Sequence, residues 1–164
     1  MTREAVIVEG VRTAVGKAKR GASRTVRADD LMAAVISELM KRTQGALKPE
    51  DIDDVELGCA MPEGSQGLNI ARQVVIRAGL PLSVPGQTIN RFCSSGLQSI
   101  ASAAYRIMAG DADVIIAGGM ESMSLVPMTG FRISPNPALA MSEPEVYINM
   151  GLTAEHVSQE FGIT

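Results

Sequence analysis

Short runs of β-branched and small apolar residues alternate with longer amphipathic segments along the first part of the chain. The runs lie at 5–11, 55–60, 87–90 and 113–117, and the segments between them place apolar residues at helical spacing. Strands that are separated by helices pair in parallel, because each helix returns the chain to the same end of the sheet. This order predicts an α/β fold, β-α-β-α-β-α-β, with a mostly parallel sheet.

Capping residues indicate where the first two helices begin and end. Asp29 or Asp30 is expected to cap the first helix, and Gly45 is expected to end it. Asn69 is expected to cap a second helix over residues 70–78.

The third helix is predicted over residues 94–109, with Gly110 as its stop. A last helix is expected to have Thr153 as its cap and Gly162 as its stop. The third helix carries an apolar stripe at helical spacing, formed by Leu97, Ile100, Ala101, Ala104, Ile107 and Met108.

Hydrophobic periodicity disappears after residue 119. Residues 120–150 hold four of the eight prolines, and a long stretch of this kind is typical of a functional loop. We therefore expect two domains, an α/β domain over 1–119 whose sheet is incomplete and the beginning of an irregular loop domain over 120–164.

Composition excludes several classes of protein. Aromatic residues make up only 3% of the chain and Trp is missing, which suits a core of Val, Ile, Leu, Ala and Met between helices and a parallel sheet. The net charge of −3 does not favour nucleic-acid binding. Seven basic residues make the first thirty residues locally positive, which fits either a solvated loop or a patch for an anionic ligand or a partner subunit.

No apolar run is long enough to span a membrane, and no signal-peptide pattern is present, so a cytoplasmic protein is expected. Two cysteines, Cys59 and Cys93, have neither a disulfide framework nor the spacing of a zinc site. We expect no metal and no tightly bound cofactor.

Cys93 lies where a predicted strand passes directly into a predicted helix, in the segment TINRFCSSGLQSI. A nucleophile on such a turn is exposed and rigidly held, and the helix N-terminus favours a thiolate. By spacing alone, Cys93 fits a small buried core residue equally well. Cys59, inside the predicted strand VELGCAM, is interpreted as a core residue.

Making the thiolate the main form of a cysteine at neutral pH takes about 2 kcal/mol. A helix terminus typically supplies about 0.3–1 kcal/mol, so a base is expected as well. His156 is the single histidine, and its position early in the last predicted helix favours a surface residue. The activating base is therefore expected outside this chain.

The segment around Cys93 resembles the nucleophile segment of the thiolase family. The residues at the family spacing are Asn90, Cys93, Ser95, Gly96, Ser99 and Ile100. Four more segments resemble the family in the same order along the chain: VIVEGVRTAVGK, GSQGLNIARQ, AGGMESMSLVP and MGLTAEHV. The departures are Ala14, where the family often has Pro, and His156, where many members have Asn.

The resemblance implies a layered α-β-α fold and an acyltransferase that uses Cys93 as its nucleophile. Thiolytic cleavage of a 3-ketoacyl-CoA would give acetyl-CoA and a shortened acyl-CoA, with coenzyme A as co-substrate and acyl-CoA substrates as the partners. The family's activating His, second catalytic Cys and Asn-Glu-Ala-Phe segment are expected beyond this chain, which alone should be inactive. A homodimer or homotetramer is implied for the full-length form.

Three alternatives remain open. A short-chain acetoacetyl-CoA thiolase often has His before the loop-domain Met-Gly, whereas Asn149 precedes Met150 here, which favours 3-ketoacyl-CoA thiolysis in fatty-acid β-oxidation. Met150 is a candidate substrate-binding residue by the same resemblance. The chain could instead be a non-catalytic interaction module, or a ketoacyl synthase relative, against which GMESMS and MGLTAE argue.

Overall fold

The computed structural model describes residues 3–164, which form two compact units, one ending at Phe131 and one spanning Arg132–Thr164. The first unit contains α1 (Ala28–Arg42), β1 (Asp54–Gly58), α2 (Ile70–Arg77), β2 (Gln87–Ile89), α3 (Ser95–Ala109) and β3 (Ile115–Gly119). The second contains α4 (Pro137–Ser142) and α5 (Met150–Phe161). Short 3₁₀ turns lie at Pro49–Asp51, Gly64–Gln66, Phe92–Ser94 and Pro144–Tyr147.

The sheet has three parallel strands in the order β2-β1-β3. Gly58 at the end of β1 is in register with Ile89 of β2 and with Gly119 of β3. The carboxyl ends of all three strands therefore meet at one edge of the sheet, which we call the carboxyl edge. Ligands of open α/β sheets bind at this edge.

The prediction of a first strand over residues 5–11 is wrong. This segment has no strand, and Val6, Ile7 and Val8 are 73%, 85% and 85% exposed. Within residues 3–164, no other segment forms a backbone hydrogen-bond ladder with it. A β-branched run becomes a strand only where a neighbouring strand pairs with its amide groups, so local sequence is not sufficient.

One face of the sheet carries the hydrophobic core. Val55 and Leu57 of β1 point to this face and are fully buried against α1 and α2. The fifteen buried residues of this core are Ala28, Met32, Ile36, Ile52, Val55, Leu57, Cys59, Ile70, Ala71, Val74, Val75, Leu80, Val84, Ile116 and Met120. This core contains no aromatic side chain, as the largely aliphatic composition of the sequence predicted.

The opposite face of β1 is polar or bare, because Asp54, Glu56 and Gly58 alternate with the core residues. Helix α3 covers this face with its small side chains: its buried residues are Ser95, Ser99 and Ala103. The apolar stripe noted in the sequence points elsewhere, and Leu97 is 71% exposed. Large side chains would hold α3 away from the sheet, so the small ones face it.

The predicted caps are partly confirmed. Asn69 accepts a hydrogen bond from the Arg72 amide, and Gly110 ends α3 with a φ of 81°. Neither Asp29 nor Asp30 caps α1, because both lie inside its first turn and the N-cap is Arg27, whose side chain makes no capping hydrogen bond. The prediction of Gly45 as the end of this helix is also wrong, since α1 ends at Arg42. Helix α5 is capped by Asn149 rather than Thr153, because the Asn149 Oδ1 accepts from the Leu152 amide at 3.0 Å.

Beyond β3 the chain is mostly irregular, with neither helix nor strand over residues 120–136. No helix of the described residues 3–164 is long and apolar enough to cross a membrane.

Candidate active site

Cys93 lies in the 3₁₀ turn Phe92–Ser94, between the end of β2 and the start of α3. Its side chain is exposed at the carboxyl edge of the sheet. Helix α3 begins two residues later, at Ser95, and the start of a helix presents backbone N–H groups and partial positive charge. The structure thus gives Cys93 the placement that the sequence predicted, on a strand-to-helix turn.

Side chains on both sides of Cys93 hold residues 90–95, which we call the Cys93 turn. The Asn90 Oδ1 accepts a hydrogen bond from the Phe92 amide at 2.9 Å. The Ser95 hydroxyl accepts from the Arg91 amide at 2.8 Å and donates to the Phe92 carbonyl at 2.6 Å. Phe92 itself has a φ of 46°, a conformation that costs a residue other than glycine about 1–3 kcal/mol. The surrounding hydrogen bonds offset this strain.

Glycine in β1 allows α3 to approach the sheet closely at the carboxyl edge. A Cβ on Gly58 would lie 2.4 Å from the Ser95 carbonyl carbon and 2.5 Å from the Gly96 nitrogen, both backbone atoms. One turn further along, the buried Ser99 hydroxyl donates to the Gly118 carbonyl of β3 at 2.6 Å. These contacts fix the start of α3, and with it Cys93, against the strand ends.

Cys59, the other thiol, directly follows β1 and is 1% exposed. The Gln66 Nε2 donates to its sulfur at 3.5 Å. Burial, followed by the nearby Glu121 carboxylate, raises the pKa of the Cys59 thiol from 9.0 to about 11. Cys59 therefore stays protonated at neutral pH, in agreement with its interpretation as a core residue.

An exposed cysteine on a strand-to-helix turn at the carboxyl edge is the geometry that the residue pattern predicted. The sequence match to a known family extends over nearly the whole chain. A family model described as the N-terminal domain of thiolase matches residues 5–164. The chain belongs to the thiolase family.

Two curated relatives show how far the likeness extends. The 3-ketoacyl-CoA thiolase of Bacillus subtilis (strain 168) is 56% identical over 162 residues, which are 99% of this chain and 41% of that protein. The 3-ketoacyl-CoA thiolase of Saccharophagus degradans is 48% identical over the same shares of the two chains. The chain therefore spans about two-fifths of the length of these thiolases.

A solved structure confirms the thiolase-like α/β fold. The crystal structure of the Bacillus anthracis acetyl-CoA acetyltransferase superposes with a TM-score of 0.81 at 34% sequence identity. The superposition covers 99% of this chain and 43% of that chain.

Two residues that the thiolase resemblance singled out lie in the second unit. Met150 is the first residue of α5 and is 65% exposed, and His156 is exposed on the same helix. Contrary to the sequence expectation, His156 lies in the middle of the helix, because α5 begins three residues before Thr153.

Sequence reasoning missed two polar residues that meet near the Cys93 turn. The Gln66 Nε2, which is fully buried, donates to the Glu121 carboxylate at 2.5 Å. Both lie in the segments that carry the thiolase resemblance, GSQGLNIARQ and AGGMESMSLVP, but 55 residues separate them. Only the strand order shows that these segments are neighbours. No group of three metal-ligating side chains forms within residues 3–164.

Proposed function

We propose that this chain carries the nucleophile of an acyltransferase that cleaves 3-ketoacyl-CoA by thiolysis. The Cys93 thiolate adds to the ketone carbonyl carbon, and the bond between that carbon and its CoA-side neighbour breaks. The electron pair of this bond leaves on the acetyl-CoA enolate, which takes up a proton. Cys93 keeps the shortened acyl group as a thioester until the thiolate of coenzyme A displaces it. The same steps in reverse form a carbon–carbon bond.

One observation carries this proposal: the exposed Cys93 lies immediately before a fifteen-residue helix, at the carboxyl edge of a parallel sheet. A thiolate is both a good nucleophile and a good leaving group, as a two-stage transfer requires. Backbone N–H groups at the start of α3 could stabilise the oxyanion that forms on the attacked carbonyl. The names of the two relatives point to the same substrate class.

The proposal needs a base that the described residues do not place at Cys93. Within residues 3–164, no hydrogen bond reaches the Cys93 thiol, although the nearby backbone is well bonded. We therefore propose that residues outside this sequence supply the base. Coenzyme A would act as co-substrate, and Met150 would contact the substrate. The natural protein would be a cytoplasmic homodimer or homotetramer that acts in fatty-acid β-oxidation.

A second candidate is a short-chain enzyme that acts on acetoacetyl-CoA. The observation that favours it is the printed name of the solved neighbour, an acetyl-CoA acetyltransferase. Against it stand Asn149 in front of Met150 and the names of the more similar relatives. Comparing kcat/KM for a four-carbon and an eight-carbon 3-ketoacyl-CoA would separate the two, since only the long-chain enzyme should accept the longer substrate well.

The test is to trap the acyl enzyme on the natural polypeptide that carries this sequence. Incubation with 3-ketoacyl-CoA in the absence of free coenzyme A should add one acyl group, which peptide mapping should find on Cys93. Cys93→Ser should lose the thioester and the coenzyme A-dependent turnover, whereas Cys59→Ala should still form the adduct. Acylation of a different residue would refute Cys93 as the nucleophile, and the absence of an adduct on folded protein would favour the non-catalytic interaction module.

A further inference from the structure

The Cys93 turn is connected to a polar network at the carboxyl edge. The Glu121 carboxylate, just beyond β3, accepts from the Gln66 Nε2 at 2.5 Å and from the Ala60 amide at 2.7 Å. Gln66 is fully buried, donates also to the Met61 carbonyl at 2.9 Å and accepts from the Ser122 amide at 2.5 Å. Hydrogen bonds to an ionised carboxylate are roughly twice as strong as neutral ones. The network thus ties the segment after β3 to the segment after β1.

The backbone of Ala60 links this network to the Cys93 turn through two hydrogen bonds. Its amide is held by Glu121, and its carbonyl accepts from the Asn90 Nδ2 at 3.1 Å. The other end of the same Asn90 amide group accepts from the Phe92 amide at 2.9 Å. Phe92 is bonded directly to Cys93. An unbroken path therefore runs from Glu121 through Ala60, Asn90 and Phe92 to Cys93.

The path ends at a residue with a strained backbone conformation. Phe92 has a positive φ of 46°, which persists only where the surrounding structure over-determines it. The Asn90 side chain can hold the Phe92 amide in this conformation only if its own amide plane is fixed. The bond to the Ala60 carbonyl fixes that plane, and Glu121 fixes Ala60.

We infer that Glu121, Gln66 and Asn90 are positioning residues, which hold the strained Cys93 turn in the geometry for acyl transfer. This inference rests on the proposed function. Neither the Glu121 nor the Gln66 side chain is bonded to the Cys93 turn, so they act through Ala60 and Asn90. A misplacement of about 1 Å can cost about 10²-fold in rate, so a small relaxation of the turn should be visible in kcat.

The test uses the natural polypeptide and the variants Glu121→Gln, Asn90→Ala and their double. Gln at position 121 places a donor group opposite the donors of Gln66 and Ala60. Each single variant should lower kcat by about 10- to 100-fold and leave KM for the acyl-CoA within about twofold. If both act through one path, the double variant should be no slower than the slower single one.

Glu63→Gln is the matched control. The Glu63 carboxylate, in the segment after β1, also accepts from a backbone amide, that of Phe131 beyond β3 at 2.7 Å, but Glu63 is outside the path to Cys93. The Glu63→Gln variant should lose about as much stability as Glu121→Gln and keep the kcat of the unmodified protein. Amide hydrogen exchange measures the coupling between Glu121 and the Cys93 turn without requiring catalysis. The amides of the Cys93 turn should exchange about fivefold faster in Glu121→Gln than in the unmodified protein, and Glu63→Gln should leave their exchange unchanged.

Unchanged exchange in the Cys93 turn of Glu121→Gln would overturn the inference, and so would faster exchange with unchanged kcat. Additive losses in the double variant would also overturn it. If Glu121→Gln does not fold, Asn90→Ala decides alone, because the Asn90 side chain is exposed and its loss leaves the core intact. If the unmodified protein shows no acyl transfer while the exchange result holds, the proposed function is what has failed.

Discussion

The two cysteines lie at the same edge of one sheet, yet the structure gives them opposite environments. Cys93 is exposed on its turn, whereas Cys59 is packed in the core beside Glu121. Iodoacetamide should therefore label Cys93 faster than Cys59 in folded protein near neutral pH, because only an accessible thiolate reacts. Mass spectrometry of the two peptides measures the rates, with circular dichroism run alongside to show that the protein is folded. Faster labelling of Cys59 would contradict the assignment of Cys93 as nucleophile.

The raised pKa of Cys59 has a consequence for stability. Between pH 9 and about pH 11 the unfolded chain loses the Cys59 proton, while the folded protein keeps it. The unfolded state then binds fewer protons, so the free energy of unfolding should fall as the pH rises through this window and be unaffected by Cys59 below it. Urea titrations at several pH values measure this slope. Cys59→Ala should flatten it, and an equal slope in that variant would assign the effect to other groups.

At the scale of single residues, the sequence predicted the placement of Cys93 on a strand-to-helix turn, because such a turn is a local pattern. It did not find Gln66 or Glu121, because their contact depends on the order of the strands in the sheet. Asn90 is part of the motif around Cys93, but its hydrogen bonds to Ala60 and Phe92 depend on how β1 and the Cys93 turn meet in the fold.

Among the contacts between helices and strands, that of β1 with α3 leaves no room for a side chain at Gly58. Gly58→Ala would place a methyl group 2.4 Å from the α3 backbone, which cannot rotate away. We expect a loss of about 1–3 kcal/mol in unfolding free energy, as for other overpacked sites, together with slower Cys93 alkylation. The control is Gly118→Ala in β3, whose Cβ would meet the flexible end of Met32 at 3.4 Å. Urea denaturation compares the two, and equal losses would contradict this account.

Salt bridges from Arg106 attach the C-terminal part of α3 to β1. Arg106 donates to Asp54 at 2.6 Å, to Glu56 at 2.9 Å and to Asp111 at 2.7 Å. The Glu56 side chain is 1% exposed, and its second carboxylate oxygen has no partner among residues 3–164. Arg106 is thus the cation that compensates a buried carboxylate on the central strand.

Arg106→Leu should destabilise the protein by about 2–4 kcal/mol, because Glu56 would be left buried without its cation. The value stays below that of a fully buried pair, since the Arg106 side chain is 32% exposed. Arg77→Leu removes a more exposed ion pair, to Asp30, and should cost about 0–1 kcal/mol. Thermal or urea denaturation of both variants measures the difference. Equal effects would mean that Glu56 does not depend on Arg106.

Helix and strand order was predictable from periodicity, since the three observed strands and the helices between them lie within a few residues of their predicted positions. The first strand was not, because the run at 5–11 looks like its neighbours in sequence but has no pairing partner in the structure. The orientation of α3 was also missed. An apolar stripe predicts burial only where large side chains fit, and the close approach to Gly58 excludes them.

For the molecule as a whole, turnover requires a general base as well as a nucleophile. We predict that the 164-residue chain alone does not turn over acetoacetyl-CoA or longer 3-ketoacyl-CoA, while the natural polypeptide does. A general base typically contributes about 10²- to 10⁴-fold, and the described residues place none at Cys93. Loss of the enolate absorbance on adding coenzyme A measures the reaction, with Cys93→Ala as control. Cys93-dependent turnover by the 164-residue chain would show that a base lies within it.

Helix α3 is fastened to the sheet at two distant points, by backbone contact at Gly58 and by the Arg106 charges more than two turns further along. A helix that is held at two separate points can neither shift along its axis nor rotate about one of its ends. In the proposed reaction, other segments would have to adjust to an arriving acyl chain, because α3 is held in place at both points. The sulfur of Cys93 would then keep a fixed position relative to the sheet, and the substrate would have to move towards it.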